Sequence, residues 1–443
     1  MAAKDFEGWI ERQYCHGATQ MLRSISPVGI VMQRPGFGQT IRPAPGAVVA
    51  SPVPAAYDPD PDYFFHWYRD SALVIDALRL LRTDGTVGEE GTALFGDFVT
   101  FSLALGRLDG RELAASGQWR MRVAPDFVRF LRSSEELARV RGESVAAETR
   151  VNADGSIDIS SWPRPQHDGV PLRALTLMRW LRDVRLPGDI RTASAELLRS
   201  DLSYARRHAR EPCYDIWEEE LGAHYFTLNV SAQALLDGAD WLEAAGEAAE
   251  AGACRAEAQA LRAQLDGYWL AQEGWYRSRV PASGERSSKE LDISVVLSAL
   301  QCADHLPRHS VRDPRLLATL HALERLFSHE YPINHDLPPD RGPALGRYRG
   351  DRYYSGGAYY FSTLAAAELC YRAASCADAA AELIARGDRF LETVRAFTPA
   401  SGDMSEQFDQ RTGAQTSARH LAWSYAALIS CASARRAVAG GRG

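Results

Sequence analysis

Two short segments concentrate groups able to move protons. Tyr214-Asp215-Ile216-Trp217-Glu218-Glu219-Glu220 sets four carboxyls beside two aromatic rings, and Met404-Ser405-Glu406-Gln407-Phe408-Asp409 sets two more beside a phenyl ring. Carboxyls next to flat apolar surfaces suit cleavage of a glycosidic bond. One acid protonates the leaving oxygen while a second attacks or activates water, and aromatic rings cover the apolar faces of sugars. The same residues have plainer uses. A run of three Glu suits the positive end of a helix, Arg69-Asp70 can be a structural ion pair, and Trp67 and Trp162 can be core. Spacing alone leaves these alternatives open.

Other chemistries lack their residues. The chain has no GxxxxGK[ST] loop, no GxGxxG after a strand, no GxSxG turn and no HExxH pair. Its seven Cys are scattered, odd in number and without a CxxC, so neither a zinc site nor a complete disulfide framework is expected. They read as small buried apolar residues. No metal and no cofactor is called for. A formal net charge of -7 argues against a nucleic-acid partner. The start, MAAKDFEGWIERQ, is charged and no long apolar run follows it, so the expectation is a cytoplasmic protein with no membrane span.

The elements that must position these groups are helices. Leu73, Ala77, Leu80 and Leu81 recur at helical spacing. So do Leu172, Leu175, Met178 and Leu181, and then Leu235, Ala239 and Leu242. Asp313-Pro314 reads as a cap and first turn, followed by Leu316, Leu317, Leu320, Leu323 and Phe327 on one face. Further Ala- and Leu-rich segments at about 88–107, 190–208, 254–271, 287–303, 360–374, 376–395 and 417–437 bring the total to about a dozen helices. Long alternating patterns are missing, which disfavours an all-β fold. Residues 26–62 read as irregular, and 438–443 as a frayed tail. Five aromatic- and charge-rich stretches precede apolar helices: 63–70, 162–168, 214–220, 347–354 and 404–409. If alternate helices form the inner ring of a barrel, these stretches gather at one end and line one pocket.

Taken together, five collinear blocks resemble the glucoamylases of glycoside hydrolase family 15: GAVVASP…PDYFFHWYRDSALV, SWPRPQHDGVPLRA, YDIWEEELGAHYFTLNVSAQAL, GRYRGDRYYSGGAYYFSTLAAAELC and MSEQFDQRTGAQTSARHLAWSYAAL. They span roughly 46–430. The resemblance implies an all-α (α/α)6 barrel forming a single catalytic domain over residues 1–443, without a starch-binding module. It implies Glu218 as general acid and Glu406 as the base that activates water, in an inverting, exo-acting release of glucose from α-1,4-linked glucans. It also implies a clamp on the terminal glucose from Arg69, Asp70 and Arg347, and a contact from Glu219 to the leaving-side sugar. Tyr63, Trp67, Trp162, Trp217 and Trp423 match aromatics of the pocket wall, and Tyr353 joins them. Three departures bear on the fit of further sugars: Ser355-Gly356-Gly357-Ala358-Tyr359 ends in Tyr where the family has a Trp at the rim, Pro163 replaces a common Gly, and His420-Leu421-Ala422-Trp423 replaces DLTW. Neighbouring expectations are the same chemistry on α-1,6 links or trehalose, and a non-catalytic glucan-binding regulatory domain.

Overall fold

The inner helices are buried on most of their sides, charged residues such as Arg69, Asp70 and Arg173 included, and that property decides the architecture. Helix Tyr360–Ala374 buries every residue but one, with Ala365, Ala366 and Ala367 allowing close approach of its neighbours. Outer helices bury one stripe. In Ala248–Asp266 it is Ala251, Cys254, Ala258, Leu261 and Leu265. The computed structural model, which describes residues 2–55, 60–375 and 379–440, resolves this contrast into two concentric rings. Helices Tyr68–Thr83, Gly169–Asp183, Tyr225–Ala244, Ser294–Ala299, Tyr360–Ala374 and Ala422–Gly440 each touch the next, and the last touches the first. Helices Glu89–Leu105, Gly188–His208, Ala248–Asp266, Pro314–Glu330, Ala380–Phe397 and Ala2–Leu22 pack outside them. This is the expected (α/α)6 barrel.

Short antiparallel strands lead into several inner helices and hold the loops at that end. Phe65–Trp67 pairs with Arg150–Asn152 and runs into Tyr68–Thr83. Leu221–His224 lies between Cys213–Tyr214 and Arg279–Pro281 and runs into Tyr225–Ala244. Ala358–Tyr359, Ser405–Phe408 and Gln415–Arg419 form a third small sheet in front of the last two inner helices. The chemistry-bearing stretches therefore meet at the N-terminal end of the inner ring, as the barrel expectation required.

Several sequence expectations hold in detail. Asp313 caps its helix by accepting from the Arg315 backbone N–H, with Pro314 in the first turn. Five described cysteines are buried, Cys15 is exposed, and Cys376 lies outside the described residues. Others are corrected. Of the expected helix 287–303 only Ser294–Ala299 forms, because Asp292 is used as a buried anchor and Lys289 and Glu290 hold loop contacts. The stretch 26–62 contains a hairpin, Met32–Arg34 with Gln39–Ile41. Residues 438–440 of the expected tail are helical, at the end of the last inner helix, while 441–443 lie outside the described residues. Three short helices, Gly110–Ser116, Gln118–Met121 and Ser134–Arg139, have no counterpart in the sequence pattern.

Candidate active site

A cavity of about 260 Å³ opens at the N-terminal end of the inner ring. All twelve residues singled out from the sequence line it: Tyr63, Trp67, Arg69, Asp70, Trp162, Trp217, Glu218, Glu219, Arg347, Tyr353, Glu406 and Trp423. Its floor is a cluster of rings. Phe361 stacks on Trp423 at 4.3 Å between centroids and on Trp217 at 6.0 Å.

Glu218 projects from a turn built on Asp215. The Asp215 carboxylate accepts from the backbone N–H of Trp217 at 3.2 Å and of Glu219 at 2.9 Å, while the Glu218 N–H donates to the Asp215 carbonyl at 2.9 Å. This turn needs a left-handed residue, and Glu218 supplies it with φ 62°. Buried Arg279, from the adjoining strand, locks the turn by pairing with Asp215 at 2.5 Å and with Asp292. Asp292 in turn accepts from the Trp217 indole at 2.9 Å. The Glu218 carboxyl is gripped on both oxygens. Oε1 accepts from the Trp67 indole and from Arg69, each at 3.0 Å, and Oε2 accepts from the Trp162 indole at 3.1 Å.

Glu406 is aimed by a bulge. Ser405 pairs with Arg419 and Gln407 with Thr416, so one residue on the first strand faces two on the second, Ser417 and Ala418. Ser417 carries the strain of this mismatch with φ 65°, and its hydroxyl donates to Glu406 Oε2. Tyr63 donates to Oε1 at 3.4 Å and is itself bonded to Tyr353 at 2.8 Å. Burial pushes the Glu406 carboxyl up to about 7, against the pull of the Ser417 hydroxyl and the Arg347 charge.

Two guanidiniums organise the remaining walls. Arg69 reaches Asp70 at 3.3 Å, Asp168 at 3.5 Å and Gln166 at 3.1 Å. Burial, only partly offset by Arg69, raises both Asp70 and Asp168 to about 6. Nε of Arg69 and one oxygen of Asp70 are buried and lack a hydrogen-bonding partner among the described residues, a pairing suited to a ligand hydroxyl. Arg347 grips Asp351 through two bonds of 2.6 Å and reaches Glu219 at 3.0 Å. Lys289 at 2.7 Å and Tyr348 also hold Glu219. Tyr359 is a correction. It is fully buried, donates to Asp351 at 3.2 Å and accepts from Gln407 at 2.8 Å, so it braces Arg347 from beneath and is not at the rim.

Asp168, Asp215, Arg279, Asp292, Lys289 and Ser417 are site residues that the sequence does not single out. Asp168 and Asp215 stand inside aromatic- and charge-rich stretches, but nothing in their type separates them from their acidic neighbours. The other four lie outside, and only the fold brings them in.

Two carboxyls facing one ring-floored, arginine-walled cavity at the end of a double helical barrel define a glycoside-cleaving enzyme. The chain belongs to the glycosyl hydrolases family 15, whose sequence profile matches residues 30–92, 143–385 and 373–433. It is 26% identical over 473 residues to Glucoamylase 1 of Rhizopus oryzae, covering 96% of this chain and 70% of that protein. It is 26% identical over 442 residues to a probable glucoamylase of Schizosaccharomyces pombe, covering 89% and 86%. In three dimensions it resembles the family 15 glucoamylase of Hypocrea jecorina, with a TM-score of 0.80 at 23% identity over 98% of this chain and 73% of that one. It likewise resembles the glucoamylase of Saccharomycopsis fibuligera, with a TM-score of 0.78 at 21% identity over 98% and 96%.

Proposed function

We propose that this glycoside hydrolase acts on α-glucan chains from their non-reducing ends, releasing β-D-glucose from α-1,4 links with inversion. Glu218 is the general acid and Glu406 the general base. The observation that carries this reading is the shared cavity. Its walls hold one carboxyl fixed by two indoles and a guanidinium, a second fixed by a serine, and an Arg69-Asp70 pair with unmet hydrogen-bonding capacity. A cavity of this size admits a chain end, and Arg69, Asp70 and Arg347 bind its hydroxyls with charge-assisted bonds.

A carboxyl held near 7 by burial suits an acid as well as a base, so the roles are separated chemically. Fluoride leaves α-glucosyl fluoride without needing a proton donor, whereas every substrate needs the water activated. Glu218→Gln therefore keeps its activity on the fluoride while losing malto-oligosaccharide hydrolysis by ~10²–10⁴-fold, and Glu406→Gln loses both. The reverse pattern exchanges the two roles. Proton NMR of the first sugar released from maltotriose, isomaltotriose and trehalose assigns the linkage, and early α-glucose would refute inversion.

A further inference from the structure

The outer helices Glu89–Leu105 and Gly188–His208 touch each other, yet beside their contact a cleft of about 460 Å³ reaches in to the inner ring. Its volume is in the usual range for ligand sites, roughly 300–1,000 Å³. Tyr68 and Arg173, from two neighbouring inner helices, lie at its inner end, and the turn Gly142–Ala147 forms one side. No residue lines both this cleft and the catalytic cavity, although Tyr68 directly precedes Arg69.

The lining carries unused hydroxyls. Tyr68 is 4% exposed, and its hydroxyl has no hydrogen-bonding partner among the described residues. Burial pushes the pKa of this phenol up, so it stays protonated and able to donate. Ser102 is 2% exposed, and its Oγ also lacks a partner there. Burying a hydroxyl without a partner is costly, so such groups are uncommon in folded proteins. Ser200 and Ser203, one turn apart on helix Gly188–His208, add two more hydroxyls without a protein partner among the described residues. The charges of the lining cancel. Three guanidiniums, on Arg107, Arg173 and Arg207, stand against three carboxylates, on Glu143, Glu196 and Asp201. Arg173 grips Asp201 through bonds of 2.9 and 2.7 Å, and Arg207 pairs with Glu143. Arg107 and Glu196 are exposed, and neither forms an ion pair among the described residues.

We infer that this cleft is a second, non-catalytic site that binds one monosaccharide. An anion gains little from a lining whose charges sum to zero, and an apolar molecule would leave the hydroxyls stranded. A neutral polyol satisfies both constraints. Its hydroxyls accept from Tyr68, Ser102 and Arg107 and donate to Glu196, while its C–H faces lie against Leu103, Val145 and Leu197. The inference stands on the lining of the cleft and does not depend on the proposed hydrolysis, although the glucose which that reaction releases is a sugar of this class.

Methyl-resolved NMR of the whole protein separates the two sites. Leu103, Val145 and Leu197 line the cleft, whereas Ile216 and Leu421 line the catalytic cavity. With D-glucose as the probe, the cleft methyls are expected to shift along a saturable curve, with half-saturation on the order of millimolar. Tyr68→Phe keeps the ring, removes the hydroxyl and raises that half-saturation ~3- to 10-fold, as the loss of about one hydrogen bond implies. Ser200→Trp, at an exposed position on the lining, fills the cleft and abolishes the shifts there while leaving the Ile216 and Leu421 curves in place. Cleft methyls that do not respond to glucose, or that respond identically in wild type and both variants, overturn the inference. So does glucose 6-phosphate binding there ~10-fold or more tighter than glucose, which would make the cleft an anion site. A response at the cleft with none at Ile216 and Leu421 would count against the proposed function and leave this site standing.

Discussion

Ser417→Gly separates two effects that the structure places on one residue. Ser417 sits at φ 65°, where a side chain costs ~1–2 kcal/mol and glycine costs nothing sterically. The variant is therefore expected to fold, because the relieved strain offsets part of what the lost hydrogen bond costs. It also loses the hydroxyl that donates to Glu406. A hydrogen bond to a charged group contributes ~1.5–3 kcal/mol, and a tenfold change in a proton equilibrium corresponds to ~1.36 kcal/mol, so the pKa of the carboxyl climbs by ~1–2 from its starting point of about 7. The active form of the base is the carboxylate. Its fraction falls as pH drops through the pKa, so raising that pKa moves the acid limb of kcat/KM to higher pH. Because kcat/KM reports the free enzyme, the empty cavity is the relevant state, and α-glucosyl fluoride removes Glu218 protonation from the profile. The wild type should show a limb near 7. The variant should lose ~10- to 100-fold relative to it at pH 6, in step with the displacement of the limb. A wild-type limb at the ordinary Glu value, or an unmoved limb in Ser417→Gly, would refute the account of how Glu406 is held.

Glu406 also links stability to pH. Between 4.5 and about 7 the native carboxyl keeps a proton that the unfolded chain has released, so stability falls as pH rises through that window. The difference amounts to ~3 kcal/mol. Glu406→Gln abolishes it, so its Tm relative to wild type is level at pH 4 and highest at pH 8; a constant difference would show that the carboxyl is not perturbed. Arg69→Lys replaces a fork serving Asp70, Asp168, Gln166 and Glu218 with a point charge. Its kcat/KM on maltotriose falls ~10- to 100-fold, and unchanged kinetics would remove Arg69 from the site. Arg279→Met strands buried Asp215 and Asp292 without their cation and costs ~3–5 kcal/mol in urea unfolding. A cost below ~1 kcal/mol would mean that the Glu218 turn holds itself.

The barrel is legible in the sequence because its helices carry their burial in their spacing, as Leu316, Leu320, Leu323 and Phe327 do, and because Asp313-Pro314 marks a start by local chemistry. The cavity is legible because its residues cluster in five stretches that helix packing must bring to one end. What stays hidden depends on contacts distant in sequence. Lys289 reaches Glu219 across 70 residues and Arg279 reaches Asp215 across 64. Asp292 ends as a buried anchor inside what reads as helix, where an acid ordinarily marks an exposed face. Tyr359 looks like a rim residue by its position in a block, but its hydroxyl has two buried partners and its ring lies against Trp217 at 6.5 Å. The helices of 110–139 run four to seven residues, too short for a periodic signal, and exist because the small core beneath them folds as a unit.

Left-handed, non-glycine backbone recurs at both proposed catalytic carboxyls: Glu218 adopts it itself, and Ser417, which donates to Glu406, adopts it on the neighbouring strand. Glycine would relieve either position, yet at Glu218 it would remove the acid itself, and at Ser417 the donor that steadies the base. Such strain persists only where surrounding contacts over-determine it. At Glu218 those contacts are the Asp215 turn, the Arg279 lock and three donors on the carboxyl. At Ser417 they are the strand pairs on either side of the bulge and the bond to Glu406. The two sites draw their support from different sheets, one joined to helix Tyr225–Ala244 and the other to helices Tyr360–Ala374 and Ala422–Gly440. The spacing of the two carboxyls is therefore set by the inner ring itself. A substitution that loosens one sheet would misplace one carboxyl while leaving the other in register, so it would lower kcat well before it lowered stability.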